Sequence, residues 1–538
     1  MRYAISNEGR ARHLRLRRAR QVSAVGVTVV GLVLVAGAGA GAHADGSDAR
    51  VTAGGPQLLT CSAPTEDSFY RDQPAMDTTF GAAHTRPYWR SVAGETSLGA
   101  LPGTSDVLVQ MNLTTARASF AGDSCPTWSD ATPQASVFTQ DPYLWIDNVT
   151  GRTFLTHLDA PSGAATSVVS DDGGRSWTVG ETPFEQPALD HQSIATGPYA
   201  APRPLGIRSY PRATYYCAKN DHIKTGSALA VTGPEAPGGH GQNQCERSDD
   251  GGLTWGPPVF VNADTIYGVY CNDAAGHVSV SPATGTVFYP IMDCHQHQGV
   301  AISRDNGQTW AVSIVGTVHD EFPGPGDTDD DPTGPDTSAY NYGHNFGDSR
   351  VAVDASGTVY LSTVDEGHPS VVISHDDGRT WSQPVDVGGP FGIQNAVFPD
   401  AVAGDAGRVA VMYYGTSQGG AIEPPYDAAG APTAWQTTPW YLYLAISTDS
   451  GSHWKVRSVT GDDPVQRGCI ATYRGDAQYA CLNLYDFQDM TIDDQGRVLS
   501  LLRRRLRLGG VHGAAGVMAG QHREPGLSGA TAGSAAPA

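Results

Sequence analysis

Aspartate, histidine and arginine recur at equivalent positions of a repeated sequence pattern, where they could bind sugars or metals, or transfer protons. Arg350 is the best candidate for binding a carboxylate, because a guanidinium forms paired hydrogen bonds to it. The other candidate ligand-binding residues are Arg474, His157, His191, Asp221, His222, Asp293 and His295. Asp141, Asp190, Asp348, Asp400, Asp486 and Asp489 precede predicted inner strands. Such a ring can bind a polyhydroxyl ligand, coordinate a metal or supply an acid/base pair. The alternative is that each Asp caps a strand end and each His fills a loop.

The elements that must position these residues are marked by an eight-residue repeat, Ser-x-Asp-x-Gly-x-(Ser/Thr)-Trp, called the Asp-box below. Five copies start at Ser170, Ser248, Ser303, Ser374 and Ser447, which are 78, 55, 71 and 73 residues apart. Their aspartates and tryptophans are Asp172 and Trp177, Asp250 and Trp255, Asp305 and Trp310, Asp376 and Trp381, and Asp449 and Trp454. Only the last copy departs from the pattern, with His453 at the hydroxyl position. This period is typical of a propeller or a similar array.

Each box is preceded by two apolar runs around a Gly turn and by a third apolar run that leads into the box. Alternation and turn residues identify the first two runs as a β-hairpin, as in 351–361. With a short strand after the Trp, each unit has four antiparallel strands. The sequence therefore predicts an all-β fold, a β-propeller of four-stranded antiparallel blades, with six blades as the first choice and seven as the second. The box is the turn between the third and fourth strands, on the face opposite the candidate site.

Four segments are predicted along the chain. Residues 1–44 have a basic start, an apolar run and an Ala-His-Ala end, which predict a secretory signal peptide; an uncleaved anchor is the alternative. Residues 45–134 are an N-terminal segment that partly closes the ring, and 135–502 form the Asp-box propeller. Residues 503–538 lose the strand pattern and are predicted to be a disordered tail or the product of a frameshift.

Charge and cysteine content fit an exported protein. Removing residues 1–44, with seven Arg and one Glu, changes the net charge from −21 to −27. An acidic surface of this kind argues against nucleic acid and anionic lipid as partners, and no membrane insertion is expected after signal cleavage. Eight cysteines in the mature part predict disulfides. The suggested pairs are Cys217–Cys245, Cys271–Cys294, Cys469–Cys481 and Cys61–Cys125.

The boxes and the hairpin-plus-box unit resemble the sialidase (neuraminidase) superfamily, in particular its secreted bacterial members, over roughly residues 135–500. The resemblance implies three arginines that bind the substrate carboxylate, a Tyr nucleophile assisted by a Glu, and an Asp acid/base. The candidates for these catalytic roles are Asp365, Glu366, Tyr485 and Asp141. The Phe/Tyr-Arg-Ile-Pro tetrapeptide of the superfamily does not occur, and the nearest string, Tyr210-Pro-Arg212, has a different order.

Three functions follow from this pattern. The first is a secreted, sialidase-like glycoside hydrolase that removes terminal acidic sugars. The second is a non-catalytic propeller that binds a glycan or a protein at the cell surface, and the third is a purely structural or receptor-like module.

No cofactor is required, although the alternating carboxylates of 327–331 offer a candidate Ca²⁺ loop. That loop lacks the Gly and Glu of an EF-hand, so a solvated acidic loop is the alternative. His295 and His297 could bind zinc, but the adjacent Cys294 favours a disulfide.

Overall fold

Strands dominate the part of the chain that the computed structural model describes. The described residues are 49–55, 58–62, 96–111, 114–122, 124–134, 142–158, 165–184, 189–204, 209–220, 242–261, 276–291, 294, 297–319, 349–420, 431–468, 488–502 and 517–521. Within these ranges the helices are two single 3-10 turns, Gly389–Phe391 and Ala434–Gln436. No helix in the described ranges has the length and hydropathy of a membrane span.

The strands form seven sheets, numbered here as blades along the chain. Two strands precede the first blade: β1 (Arg50–Ala53) and β2 (Leu58–Ser62). Blade 1 contains β3 (Ser97–Ala100), β4 (Asp106–Met111), β5 (Thr114–Ser119) and β6 (Thr127–Asp130). Blade 2 contains β7 (Tyr143–Ile146), β8 (Thr153–Leu158), β9 (Ala165–Ser170) and β10 (Thr178–Val179). Blade 3 contains β11 (Leu189–Gly197), β12 (Ala213–Asn220), β13 (Gln242–Ser248) and β14 (Val259–Phe260).

The remaining blades follow the same order. Blade 4 contains β15 (Ser279–Val280), β16 (Val287–Ile291), β17 (His297–Ser303) and β18 (Ala311–His319). Blade 5 contains β19 (Arg350–Val353), β20 (Val359–Asp365), β21 (His368–Ser374) and β22 (Val385–Asp386). Blade 6 contains β23 (Asn395–Ala403), β24 (Val409–Thr416), β25 (Pro439–Ser447), β26 (His453–Ser458) and the two-residue β27 (Gln466–Arg467). Blade 7 contains β28 (Met490–Ile492), β29 (Val498–Leu502) and β30 (Val517–Gln521), and β2 is its fourth strand.

The first strands of successive blades are neighbours all the way round, and β28 contacts β3 to close the ring. The prediction of an all-β propeller with four-stranded antiparallel blades is confirmed. Six of the sheets have four strands. The seventh, blade 6, has the same four-strand core plus β1 and β27, so the closed ring corresponds to the second of the two blade numbers considered.

The two chain ends contribute more to the ring than the sequence analysis expected. A complete blade, β3–β6, lies within the segment 45–134, so the propeller begins well before residue 135. Within the expected disordered or frame-shifted tail, Val517–Gln521 pair with Leu58–Ser62 in blade 7, which corrects that expectation for this stretch. The strand could not be identified from the sequence because it follows a stretch of Arg, Gly and Ala without strand alternation.

Each octapeptide folds into the same hydrogen-bonded turn, called the box turn below. In blade 5, the Ser374 hydroxyl donates to Asp376 and accepts the backbone N–H of Gly378 at 2.9 Å. The Asp376 carboxylate also accepts the backbone N–H of Thr380 at 2.8 Å and its hydroxyl at 2.7 Å. Gly378 has φ +78°, and a Cβ there would meet Ile302 of blade 4, so this position requires glycine.

The box turns and the first hairpin turns lie on one face of the ring, called the box face. Thr286, in the hairpin turn of blade 4, donates to Asp377 in the box turn of blade 5 at 2.7 Å. In the same way, the hairpin loop of blade 3 contacts the box turn of blade 4, where the Ala200 N–H donates to Asn306 at 2.8 Å. Since the first strand of each blade runs toward this face, the strand starts lie toward the opposite face, called the top face.

We expect the protein to lose stability in acid as the box turns are protonated. Hydrogen bonds from Ser176 hold the pKa of exposed Asp172 well below its usual range. In the other four boxes partial burial raises the pKa of the aspartate. Hydrogen bonds from the same box outweigh this effect, so the pKa is still lowered. A carboxylate with a depressed native pKa stabilises the fold above the unfolded-state pKa, about 3.9, and this contribution is lost as pH falls through the native pKa.

Denaturant unfolding of wild type and Asp376→Asn between pH 3 and 6 measures this effect. The wild type should lose stability progressively below about pH 4, and the variant should lose less over the same interval. Asp462→Asn, a change of an exposed aspartate outside the boxes, is the matched control and should follow the wild type. Equal pH dependence in wild type and Asp376→Asn would contradict the prediction.

One predicted disulfide is fully described. Cys217 and Cys245 are directly opposite each other on β12 and β13 and are bonded, which confirms that pair. Cys125 and Cys294 are also disulfide-bonded. Cys271, Cys469 and Cys481 lie outside the described residues, and the side chain of Cys61 is not among those described, so the other three pairs remain predictions.

Removing this bridge should lower the free energy of unfolding substantially. The double variant Cys217→Ala/Cys245→Ala opens a loop with a sequence separation of 28 residues, for which chain entropy gives a loss of about 3–4 kcal/mol. Urea unfolding of the variant and the oxidised wild type measures the difference, and both should be compared at the same protein concentration. A loss below about 1 kcal/mol would show that the strand pairing alone fixes β12 and β13.

Candidate functional site

Five polar side chains from five different blades meet at the centre of the ring. They are Tyr143 of blade 2, His277 just before blade 4, Arg350 of blade 5, Asp400 of blade 6 and Asp489 just before blade 7, and they are called the central cluster below. Four of them stand at or next to the start of the first strand of their blade, and the fifth, Asp400, lies within β23. The topology therefore brings together residues that are far apart in the sequence.

Arg350 is at the middle of this arrangement. Its guanidinium donates to the Tyr143 hydroxyl at 3.1 Å, and its Nε lies 3.6 Å from Oδ1 of Asp400. Blades 2 and 5 are not neighbours in the ring, so the Arg350–Tyr143 bond spans the central channel. The His277 ring packs edge-on against the Tyr143 ring, with the ring centroids 4.8 Å apart. The backbones of His277 and Arg350 form an isolated parallel β-bridge. All five residues are at most 5% exposed.

Local backbone irregularities help to aim these side chains. In β23 the pairing with β24 shifts register between Val397 and Asp400, and Phe398 has φ +53°. In β11 a similar shift occurs just before Ser193, and His191 has φ +49°. A bulge of this kind changes which side chains face inward, and positive φ at a non-glycine residue has an energetic cost. In blade 6 the strained backbone therefore helps to orient Asp400 at the ring centre.

The electrostatics of the cluster follow from its burial. Burial raises the pKa of Asp400 well above its usual range, although the Arg350 charge opposes this. Burial also raises the pKa of Asp489 to about 6, against the Arg350 charge and hydrogen bonds from Leu98 and Met490. Burial and the neighbouring guanidinium hold the pKa of His277 well below its usual range, and burial raises that of Tyr143. The cluster thus contains one cation, two carboxyl groups whose charged form burial disfavours, and two neutral rings.

Some of these residues also connect neighbouring blades. Asp489 accepts the backbone N–H of Leu98, in blade 1, at 3.0 Å. Serines make the equivalent bond elsewhere in the ring: Ser97 accepts from Leu144 at 2.8 Å and Ser193 from Val278 at 3.0 Å. A serine suffices for this structural task, so the bond between blades does not account for the charge of Asp489 or for the presence of Arg350.

Of the side chains proposed as sites from the sequence, the structure places Arg350 in the central cluster. His191 lies close enough for its charge to lower the pKa of His277. His157 is buried inside β8, and burial lowers its pKa to about 4. Asp365 and Glu366 stand at the turn between β20 and β21, with Glu366 exposed and at φ +47°, and neither belongs to the cluster. Asp141, Tyr485, Arg474, Asp221, His222, Asp293 and His295, and the acidic loop 327–331, lie outside the described residues.

Tyr143 and His277 were not among the site residues predicted from the sequence, and Asp400 and Asp489 were predicted only to lie near strand starts. The signal that could have identified Tyr143 and His277 is their position, because both occupy the place in their blades that Arg350 occupies in blade 5. Position relative to the first strand is therefore a better guide here than residue type.

No model of a known protein family matches this sequence, and no curated protein sequence matches it. Among solved structures, it is similar to the Hadza microbial sialidase Hz136 at 16% identity and TM-score 0.37, over 77% of this chain and 76% of that one. It is also similar to Trypanosoma rangeli sialidase bound to 2,3-difluoro-KDN, at 14% identity and TM-score 0.37, over 79% of this chain and 59% of that one. A point mutant of the Aleuria aurantia lectin in complex with alpha-methyl-L-fucoside shows 11% identity and TM-score 0.35, over 71% of this chain and 97% of that one. Similarities at this level assign neither a family nor a function to this chain.

Proposed function

We propose that this protein is an exported propeller that binds a glycan at its top face, with the central cluster as the polar floor of the binding site. The observation that carries the proposal is the convergence of five polar side chains from five blades on the ring centre. Burying charged groups in this way costs free energy that well-packed apolar residues would not cost. A cluster of buried titratable groups with shifted pKa values is therefore a reasonable candidate for a ligand-binding site.

The chemistry of the cluster suits a polyhydroxyl ligand. Arg350 and the Tyr143 hydroxyl can donate hydrogen bonds, and the carboxylates of Asp400 and Asp489 can accept them from sugar hydroxyls. The His277 ring adds an apolar face beside Tyr143. A binding site needs few polar groups if they are held in place, and the strand starts of five blades hold these.

Hydrolysis of a terminal acidic sugar is the second candidate, and one observation favours it. The side chains of Asp400 and Asp489 each offer an oxygen within 4.8 Å of the other, and burial raises the pKa of both. A pair of carboxyl groups at short separation, at least one with a raised pKa, is the usual machinery of glycoside hydrolysis. Against it, Arg350 is already compensated by Asp400, so a substrate carboxylate would have to compete with this aspartate.

Glycan-array binding and release of a fluorogenic group from a sialoside distinguish the two candidates. The variants are Tyr143→Phe, which removes one hydroxyl, and Arg350→Met; the control is Arg379→Met, at an exposed arginine in the box turn of blade 5. Circular dichroism checks that each variant is folded. We expect the wild type and the control to bind the same glycans and Tyr143→Phe to bind them at least tenfold more weakly. Absence of glycan binding by the wild type would overturn the proposal, and turnover that depends on Asp489 would select the hydrolase.

A further inference from the structure

We propose that His277, Asp400 and Asp489 together bind one Zn²⁺ ion at the centre of the ring. The inference goes beyond the proposed function, because it concerns a metal site that would exist with or without a sugar. The three residues come from the starts or first strands of blades 4, 6 and 7, so an ion there would join three parts of the ring.

The geometry provides three ligands in a suitable arrangement. Each residue offers one ligand atom, and these atoms all lie within 4.8 Å of one another. Zinc binds histidine nitrogen and carboxylate oxygen at about 2.0–2.2 Å, so each ligand atom would have to move inward by less than about 1 Å. Three protein ligands with one position left open is the arrangement typical of zinc sites that interact with a ligand or a water.

A second observation concerns Asp400 itself. The residue is 2% exposed, and its Oδ2 has no hydrogen-bond partner among the residues that the structure describes. Arg350 faces the other oxygen, Oδ1, at 3.6 Å. A buried carboxylate oxygen without a partner is costly, and an ion at this point would supply the missing interaction.

The groups around the three ligands fit a second coordination shell. Both oxygens of Asp489 accept backbone N–H groups, from Leu98 and from Met490, at 3.0 Å each, which fixes the orientation of the carboxylate. The Tyr143 ring packs against His277 and limits its rotation. When both aspartates bind the ion as deprotonated ligands, two carboxylates and one guanidinium carry a net charge of −1, so a divalent ion brings the cluster to +1.

This charge balance also indicates the chemical class of the fourth ligand. With the ion and Arg350 side by side, an anionic group such as a carboxylate or hydroxide in the open position would restore neutrality. An imidazole ligand and a small number of donors favour a transition metal over Ca²⁺ or Mg²⁺, which prefer more oxygen ligands. Zinc is therefore the ion to test, with Ca²⁺ as the comparison.

Isothermal titration of ZnCl₂ and CaCl₂ into the full chain, without a histidine tag and after dialysis against a chelator, tests the proposal. We expect one Zn²⁺ per chain with a dissociation constant in the micromolar range or lower, and a higher thermal midpoint with zinc than without it. His277→Gln and Asp400→Asn should each weaken zinc binding by about 100-fold or more. The control is His368→Gln, at a half-buried histidine beside Asp386 in blade 5, and it should bind zinc like the wild type.

Replacement of zinc by Co²⁺ provides a measurement that does not depend on the folding of a variant. The visible absorption spectrum of Co²⁺ bound to the wild-type protein should show a four- or five-coordinate site with nitrogen and oxygen ligands. No zinc binding by the wild type would overturn the proposal, and so would zinc binding that is unchanged in both His277→Gln and Asp400→Asn. Because the titration uses no sugar, failure of the metal proposal leaves the glycan-array result unaffected, and the reverse also holds.

Discussion

Arg350→Met should lower the free energy of unfolding by about 3–5 kcal/mol. The guanidinium is 5% exposed and lies beside a carboxylate that is 2% exposed. Methionine fills a similar volume but removes the cation, so Asp400 would lose its compensating charge. Coulombic interactions with Tyr143 and Asp400 raise the pKa of Arg350 although burial opposes them, so the arginine stays charged at every accessible pH.

A double-variant cycle separates the loss of charge compensation from the loss of packing. Asp400→Asn removes the uncompensated charge, so Arg350→Met/Asp400→Asn should recover part of the loss, with a coupling of about 1–3 kcal/mol. Urea unfolding at pH 7 gives the four free energies, and the exposed Arg379→Met should change stability by less than about 0.5 kcal/mol. If Arg350→Met costs less than about 1 kcal/mol and the cycle gives no coupling, the two side chains do not interact and the prediction is wrong.

The sequence predicted the blades that carry a box well, for a local physical reason. Eight consecutive residues contain the hydrogen bonds that define the turn, as in the bonds of Ser374 with Asp376 and Gly378, so the pattern does not depend on distant contacts. Blades 1 and 7 lack a box and were not recognised as complete blades. Blade 7 is completed by β2 and β30, which come from opposite ends of the chain, and no local pattern could indicate that pairing.

The candidate site was predicted only in part, because its geometry depends on strand register as well as on residue type. Arg350 was identified from its place at a strand start. Asp400 is aimed by a register shift that follows Phe398, and a bulge of this kind is not visible in the alternation of apolar residues. Tyr143 comes two residues after Asp141, the residue selected at that strand start, and His277 comes from a blade whose strand start does not repeat the Asp pattern. The sequence therefore predicted where the site lies in the ring, but not which residues form it.

The box tryptophans should differ in their contribution to stability, with Trp454 contributing most. Trp454 is 0% exposed, whereas Trp177, Trp255, Trp310 and Trp381 are half-buried. The difference arises because β1 pairs in parallel with β26 and places Val51 opposite Trp454. A strand from the N-terminal segment thus covers this box and packs with the core around Tyr413.

We expect Trp454→Ala to lower the free energy of unfolding by about 3–5 kcal/mol, the usual cost of removing a fully buried Trp side chain. Trp177→Ala is the matched control and should cost about 1–2 kcal/mol less, because part of its ring already faces water. Urea unfolding of both variants measures the difference. Val51→Ala in the Trp454→Ala background should cost less than in the wild type, since the partner it packs on is gone. Equal losses for the two tryptophan variants would show that β1 does not protect this box, and that all five boxes contribute through their turns rather than through burial of the ring.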